Sequence, residues 1–505
     1  MQSKDRVIII GAGVGGLTAG VRLAARGYNV RVLERATAPG GKMREVAIGD
    51  WRIDAGPTVL TMRWVFEELF AVAGTSLENE LRLTQAEILA RHAWDDRGHL
   101  DLFADLEQSA AAIEAFSGRG EGKRFLAFMA EARDIYTTLE TSFIANSRTN
   151  LLGLTGRVSG EGRLGGWLRL NPYATLWQGL GKYFRDSRLQ QLFGRYATYA
   201  GSSPFLAPAT LMLIAHVEQS GVWLVDGGMH RLALTLAELA VRQGADIRYG
   251  AEVAEILTKG GRVVGVRLQD GSRIDADAVV LNADVSALGS GLFGRGVARA
   301  VKPTAPAHRS LSALTFNIVA RTSGFPLLRH SVFFSSHYSA EFDDIFKRQR
   351  LPQGPTVYVC AQDRGADRAT AARAVERDRL LLLVNAPPIG DRNGLSQADI
   401  DRSYGATRAL LKRCGLHLEH DADPLVTTSP SEFERLFPAT GGALYGRASH
   451  GWQASFSRPG ARTKLPGLYL AGGSTHPGAG VPMAALSGRQ AAMAVMQDCG
   501  ERGRG

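Results

Sequence analysis

Apolar residues run unbroken from Val7 to Ile10, recur at helical spacing at Leu17, Val21 and Ala24-Ala25, stop at Gly27, and resume from Asn29 to Leu33. The pattern predicts a short buried strand over Arg6 to Ile10, a helix over Leu17 to Arg26 and a second strand, a βαβ unit closing at Glu34. From about Phe66 to Leu213 the period is mainly helical. The glycine-rich run from Gly156 to Gly166 breaks it as a loop, and paired aromatic and apolar residues from Tyr173 to Tyr199 suit a second apolar lobe. Between Gly244 and Val285 the period shortens to two, as in antiparallel strands joined by Gly260-Gly261 and Asp270-Gly271 turns, and ends in a buried strand over Ala278 to Leu281. From Ser310 to Leu425, strands such as Thr356 to Cys360 and Leu380 to Asn385 mix with helices such as Ala406 to Cys414. The last unit is a strand over Leu468 to Ala471, a glycine loop and a helix over Met483 to Met496.

This order predicts an α/β protein in which a discontinuous, Rossmann-like nucleotide domain is interrupted by substrate-binding parts. The expected divisions are residues 1–70, 221–300 and 441–505 for the nucleotide domain, 71–220 for a mainly helical region facing substrate or membrane, and 301–440 for an α+β substrate domain. A chain of 505 residues exceeds the roughly 250–300 that one core supports. No repeat of solenoid period and no long low-complexity segment changes that picture.

Composition narrows the partners. Apolar content of 45% and charged content of 21% are ordinary for a globular chain, which excludes a disordered or collagen-like one. The net charge of +10 comes without a Lys/Arg run interleaved with aromatics, so no nucleic-acid partner is expected. An anionic membrane surface suits the charge, and so does a plain solvated surface. Three scattered cysteines, Cys360, Cys414 and Cys499, point to a reducing compartment and to no structural metal. No secretory pattern opens the chain, and no apolar run reaches the ~18–20 residues of a bilayer span, so a membrane is expected to be met from the side.

The chemistry lies in the glycines. In Gly11-Ala12-Gly13-Val14-Gly15-Gly16, Gly11 permits the tight turn after the strand, Gly13 lets backbone approach a pyrophosphate, and Gly16 lets the helix pack on the sheet. Amides at the helix N-terminus supply the positive potential. Alone the motif is weak, but here it follows a strand, opens a helix, and is followed at the end of the next strand by Glu34. That carboxylate suits a ribose hydroxyl pair and would repel a 2′-phosphate. Two look-alikes are set aside: Gly289 to Gly294 sits about seven residues past its strand and reads as a loop, and Gly118 to Lys123 lacks P-loop spacing and reads as a surface turn.

FAD rather than NAD is argued by three further segments. Pro39-Gly40-Gly41-Lys42 could bring backbone to the flavin end with Lys42 facing phosphate or the ring; the plainer reading is an exposed turn. Asp54 to Leu60, containing Gly56, could lie against the ring, or be an ordinary turn. In Ala471 to Gly488, the amides of Gly472 and Gly473 could reach phosphate or ribityl, and the N-terminus of the Met483 helix the flavin C2 carbonyl, stabilising negative charge there. His476 in that loop is more readily a turn residue than a base. No GxSxG elbow, HExxH or carboxylate cluster with metal spacing appears.

With the Gly11 loop, Glu34, Pro39-Gly40-Gly41, Asp54-Ala55-Gly56-Pro57 and Thr475-His476-Pro477-Gly478-Ala479-Gly480, the chain resembles bacterial carotenoid desaturases of the phytoene desaturase family over nearly its whole length. The resemblance includes Gly221 to Leu236, Ala251 to Ile256, Asn282-Ala283-Asp284 and Gly441 to Gly446. Val357 to Gly365, Val481 to Gly488 and Ser331 to Phe346 depart from ordinary phytoene desaturases and look more like the hydroxyneurosporene desaturases of purple bacteria. That subgroup introduces the C-3,4 double bond into 1-hydroxycarotenoids. The resemblance implies FAD contacts at Gly11, Gly13, Gly16, Glu34, Gly41, Lys42 and Gly56. It implies others at Val253, Gly472, Gly473, Val481 and Met483, with no metal and no assigned catalytic side chain.

A carotenoid substrate, a photosynthetic-membrane surface and oxygen or a quinone as electron acceptor are then the expected partners. Turning CH2–CH2 into CH=CH sends one hydrogen to flavin as hydride; loss beside a polyene leaves an allylic cation whose neighbouring proton a weak base can take. The missing dyad is therefore no objection, because the cofactor carries the hard step and the protein orients and excludes water. A phytoene desaturase or carotenoid isomerase, a flavin amine oxidase and a non-enzymatic prenyl-binding escort protein remain as alternatives. Phe205 to Ile214 is a candidate membrane contact, with a core helix the plainer reading.

Overall fold

The computed structural model describes residues 5–95, 98–144, 174–367, 375–392, 394–420, 424–451 and 453–502. The loop expected at Gly156 to Gly166 lies outside them.

Val7 to Ile10 are all buried, as a continuous apolar run should be when both faces of a parallel strand are covered. They form the middle of a five-stranded parallel sheet in the order Leu468–Leu470, Ala278–Leu281, Arg6–Ile10, Asn29–Leu33, Asp246–Arg248. Val7 pairs with Ala278 on one side and Val30 on the other. The first and last thirds of the chain meet across Ala278–Leu281, which pairs with Arg6–Ile10 on one side and Leu468–Leu470 on the other. The helix between the first two strands runs Val14–Ala25, three residues earlier than its apolar stripe shows, because Gly15 and Gly16 contribute no side chain to a pattern. The C-terminal helix, Val481–Arg502, likewise starts before Met483 and packs along the first. A Cβ on Gly488 would stand 2.1 Å from the Gly15 carbonyl oxygen, so the two backbones touch.

Antiparallel strands Val253–Lys259, Arg262–Leu268 and Arg273–Asp275 form a small separate sheet. The Gly260-Gly261 and Asp270-Gly271 turns join them, with positive φ at Gly260, Gly261 and Gly271. Asp246–Arg248, read with them from its alternation, instead closes the edge of the parallel sheet beside Asn29–Leu33.

The second layer is an eight-stranded sheet built on Ser312–Gly324, Asp378–Ala386, Val357–Ala361 and His330–Phe334. The expectation of a helical stretch from Phe66 to Leu213 needs correcting here. Ile88–Trp94 and His99–Phe103 are strands, and Ile88–Trp94 joins the sheet in parallel beside His330–Phe334. All seven residues of Ile88–Trp94 are buried, so the alternation that marks a half-exposed strand is missing. The rest is helical, chiefly Leu106–Ser117, Glu121–Leu139, Leu176–Tyr183 and Ser187–Gly194. These pack through stacked and edge-on rings of Phe125, Phe128, Phe184 and Phe193, which are continuous with the apolar core beside the parallel sheet.

Candidate active site

The glycines of the first turn are sterically compelled. Gly11 has φ +97°, and a Cβ on Gly16 would come 2.1 Å from the Gly11 carbonyl oxygen. Asn282, just past the Ala278–Leu281 strand, donates from Nδ2 to that oxygen at 3.3 Å. A Cβ on Gly13 would meet the same amide nitrogen at 2.8 Å, and one on Gly15 its oxygen at 2.7 Å. Asn282 therefore braces the turn from below, a role its place in the sequence did not announce.

Glu34 ends the second strand, buried and on the wall of the adjoining cavity. Its carboxylate accepts the amides of Ala12 at 2.7 Å and Ala36 at 2.8 Å. The loop at Pro39 to Lys42 closes on this turn, with the Gly40 amide donating to the Ala12 carbonyl at 2.9 Å. The Lys42 ammonium donates to the Leu444 carbonyl and lies 5.3 Å from the Phe437 ring centre; burial pulls its pKa down. Gly56 presses on the same loop, since a Cβ there would fall 1.9 Å from the Lys42 carbonyl oxygen.

Asp54, two residues earlier, faces away from the cavity. Its buried carboxylate accepts the amides of Met229 at 2.6 Å and His230 at 3.1 Å, capping the Met229–Arg242 helix. Burial nonetheless raises its pKa. Gly228 is obligatory there, with a Cβ only 2.3 Å from Asp54 Oδ2. This clamp ties the Asp54 segment to Gly228 and the start of the Met229–Arg242 helix.

At the C-terminal loop the Gly472 amide donates to Ser487 Oγ at 2.7 Å, and both Gly472 and Gly473 lie on the cavity wall. Arg458 donates to the Gly473 carbonyl at 2.8 Å, lines the cavity, and is held by burial at a pKa of about 10. The His476 side chain reaches out of its own turn. It is buried, bonds the Phe143 carbonyl through Nε2 at 2.9 Å, and stacks edge-on against the Phe143 ring.

All the residues anticipated as cofactor contacts line one cavity of about 850 Å³, except Gly16, which serves the turn behind it. The cavity runs from Gly11, Glu34 and Val253, past Gly41, Lys42, Gly56, Gly472 and Gly473, to Val481 and Met483, and on into a chamber under the large sheet. A glycine cradle with a carboxylate at one end fits a dinucleotide with a free ribose, and the glycine loops beyond it fit a longer ligand than a mononucleotide. The chamber is walled by Leu139, Phe143, Leu211, Ile214, Val217 and Val332. Phe205 to Ile214 is not one core helix: Leu206 is exposed, Ala209–Met212 is a short 3-10 turn, Leu213 begins the next helix, and Leu211, Leu213 and Ile214 line the chamber.

A charged and phenolic cluster interrupts these walls, and no local spacing in the sequence reveals it. Arg195 Nη1 donates to Tyr199 Oη at 3.0 Å, and Tyr199 donates to Glu218 Oε1 at 3.3 Å. Tyr196 donates to the other Glu218 oxygen. The guanidinium lies 5.2 Å from the Tyr199 ring centre and 5.3 Å from that of Tyr358. Tyr358 Oη in turn pairs with Thr58 Oγ1 at 2.6 Å and His330 Nδ1 at 2.8 Å. Burial raises the Glu218 pKa and lowers that of His330 to about 3, leaving a neutral imidazole. Arg195, Tyr199, Glu218, His330 and Tyr358 all line the cavity.

A dinucleotide cradle opening into an enclosed, mostly apolar chamber is the plan of a flavoenzyme acting on a bulky apolar molecule. The chain belongs to the flavin-containing amine oxidoreductase family, whose profile matches residues 14–496. It is an oxidoreductase with FAD as cofactor. It is 52% identical to a hydroxyneurosporene desaturase of Rubrivivax gelatinosus over 97% of this chain and 93% of the relative. It is 43% identical to one of Cereibacter sphaeroides over the full length of both. Among solved structures, putrescine oxidase shares the fold at a TM-score of 0.60 and 14% identity, covering 98% of this chain and 99% of that one.

Proposed function

We propose that this protein introduces the C-3,4 double bond of a 1-hydroxycarotenoid in carotenoid biosynthesis. The observation that carries the reading is the continuity of the glycine cradle with a long apolar chamber. The relatives named hydroxyneurosporene desaturase support the substrate class. Gly11, Gly13, Glu34, Gly41, Lys42, Gly56, Val253, Gly472, Gly473, Val481 and Met483 would hold FAD, which when bound accepts the hydride. The chain's own residues align the polyene, exclude water and disperse charge through the N-terminus of the Val481–Arg502 helix. An amine oxidase reading is disfavoured by Arg195, whose cation faces the chamber and repels an ammonium.

A substrate of this kind dissolves in lipid. Among the described residues no helix is long and apolar enough to cross a membrane; docking from the side at an anionic photosynthetic membrane fits the net charge of +10. Reoxidation by oxygen or a membrane quinone completes the cycle. The test is to incubate the flavin-loaded protein with a 1-hydroxycarotenoid and with phytoene, extract the products and locate the new double bond. Conversion at C-3,4 of the hydroxylated substrate is expected. Conversion of phytoene alone, or peroxide release from amines, overturns the reading.

A further inference from the structure

The Arg195 cluster is the feature that FAD binding leaves unexplained. Among the described residues the guanidinium has no carboxylate within ion-pair distance and a single hydrogen bond, to Tyr199. Its remaining N–H groups have no such partner in a chamber lined chiefly by apolar groups, with scattered hydroxyls such as Thr210 and Thr315 and the Asn385 amide. A buried cation is costly unless something completes its hydrogen bonds. The chain supplies orientation instead, with Tyr199 accepting from Arg195 while donating to Glu218, and the Tyr199 and Tyr358 rings flanking the guanidinium. This is a donor fork held ready beside an acceptor carboxylate, a pair matched to a group that both accepts and donates.

Its position adds a constraint. Tyr358 bonds Thr58, two residues past Gly56 in the loop that closes on Lys42, so the cluster sits at the junction between the cofactor loops and the chamber. In a 1-hydroxycarotenoid only two bonds separate the hydroxyl-bearing carbon from C-3, so the hydroxyl must lie close to the oxidising end whenever the 3,4 bond does. A polyene in an apolar tube has nothing else to stop it sliding by one repeat.

Resting on the desaturase reading above, we infer that Arg195, oriented by Tyr199 and Glu218, receives the tertiary hydroxyl of the carotenoid and sets which carbon–carbon bond is oxidised. The guanidinium donates to the hydroxyl oxygen, and the hydroxyl donates to Glu218. Arg195 is thus a specificity-determining residue, and Tyr199 and Glu218 position it.

The test compares a 1-hydroxycarotenoid with the same carotenoid lacking the hydroxyl, using flavin-loaded wild type, Arg195→Met and Glu218→Gln, with flavin content measured for each. Wild type is expected to favour the hydroxylated substrate in kcat/KM. Arg195→Met should cut that ratio about 10- to 100-fold, the effect of one hydrogen bond to a charged group, and scatter the position of the new double bond. Glu218→Gln should lower the ratio less. If Arg195→Met does not fold, Arg195→Lys and Tyr199→Phe carry the same comparison, because a purely structural role would lower both substrates together and leave the ratio unchanged. An unchanged ratio, a wild type indifferent to the hydroxyl, or a variant that folds but loses flavin overturns the assignment while leaving the desaturase reading standing. A wild type that desaturates neither carotenoid defeats that reading itself, and this site with it.

Discussion

Gly16→Ala is the sharpest test of the cofactor cradle, because two opposing effects of known sign meet there. Inside a helix, replacing glycine by alanine ordinarily stabilises by about 0.5–1 kcal/mol. At position 16 the added Cβ would lie 2.1 Å from the Gly11 carbonyl oxygen. That oxygen cannot easily retreat: the Gly11 amide donates to Leu33 at 2.8 Å, and Asn282 holds the carbonyl. Backbone must therefore move against backbone, which places the cost at or above the upper end of the ~1–3 kcal/mol of overpacking. After the helical gain, a net loss of about 2 kcal/mol remains. Gly405→Ala is the matched control, since Gly405 is exposed within the Gln397–Arg413 helix and its Cβ would meet nothing within 4 Å. Urea midpoints and flavin-to-protein ratios after gel filtration read both variants. Gly405→Ala should gain about 0.5–1 kcal/mol at unchanged flavin content, while Gly16→Ala loses stability and flavin together. A Gly16→Ala protein as stable as wild type and fully flavinated would refute the argument that the turn is sterically closed.

Glu34→Arg should abolish FAD retention, because it removes the carboxylate that holds the Ala12 and Ala36 amides and sets a cation on the cavity wall; unchanged flavin content sinks the assignment of that end of the cavity. Asp54→Ala leaves the Met229 and His230 amides without their cap and should cost about 2 kcal/mol, read by denaturation. Stability should also fall in acid. His92 and His330 are held by burial at about 3, and His450 at about 4, so between those values and the usual 6.5 the unfolded chain binds more protons than the fold. Their stabilisation is full above pH 6.5 and is lost as the pH falls. His92→Gln should flatten the dependence of unfolding free energy by about 1.4 kcal/mol per pH unit in that window, and an unaltered slope contradicts the burial argument.

What the sequence discloses depends on how local the governing physics is. The βαβ unit, the antiparallel strands with their Gly-Gly and Asp-Gly turns and the final strand and helix are legible because period and turn chemistry act within a few residues. The Ile88–Trp94 strand is hidden because burial on both faces erases its alternation. Asp246–Arg248 is misread for a related reason: three residues carry a period but not a partner, and its partner, Asn29–Leu33, lies far back in the chain.

The same contrast divides the site. At the nucleotide end, function requires the absence of side chains, and each absence leaves a glycine at a fixed offset from a strand: a Cβ at Gly16 would strike the carbonyl of Gly11, five residues earlier, not a distant domain. At the chamber end, function requires side chains to converge, and convergence has no spacing. Arg195 and Tyr199 come from one short 3-10 helix, Arg195–Ala200, Glu218 from the Leu213–Gln219 helix, and His330 and Tyr358 from paired strands of the large sheet. Each looks ordinary in its own segment. Only the sheet that pairs Val332 with Tyr358, and the helices folded over it, make them one surface. Families that share a cradle can therefore diverge in substrate without disturbing any glycine motif. Specificity should be sought where buried polar groups interrupt an apolar wall, which in this chain is at Arg195.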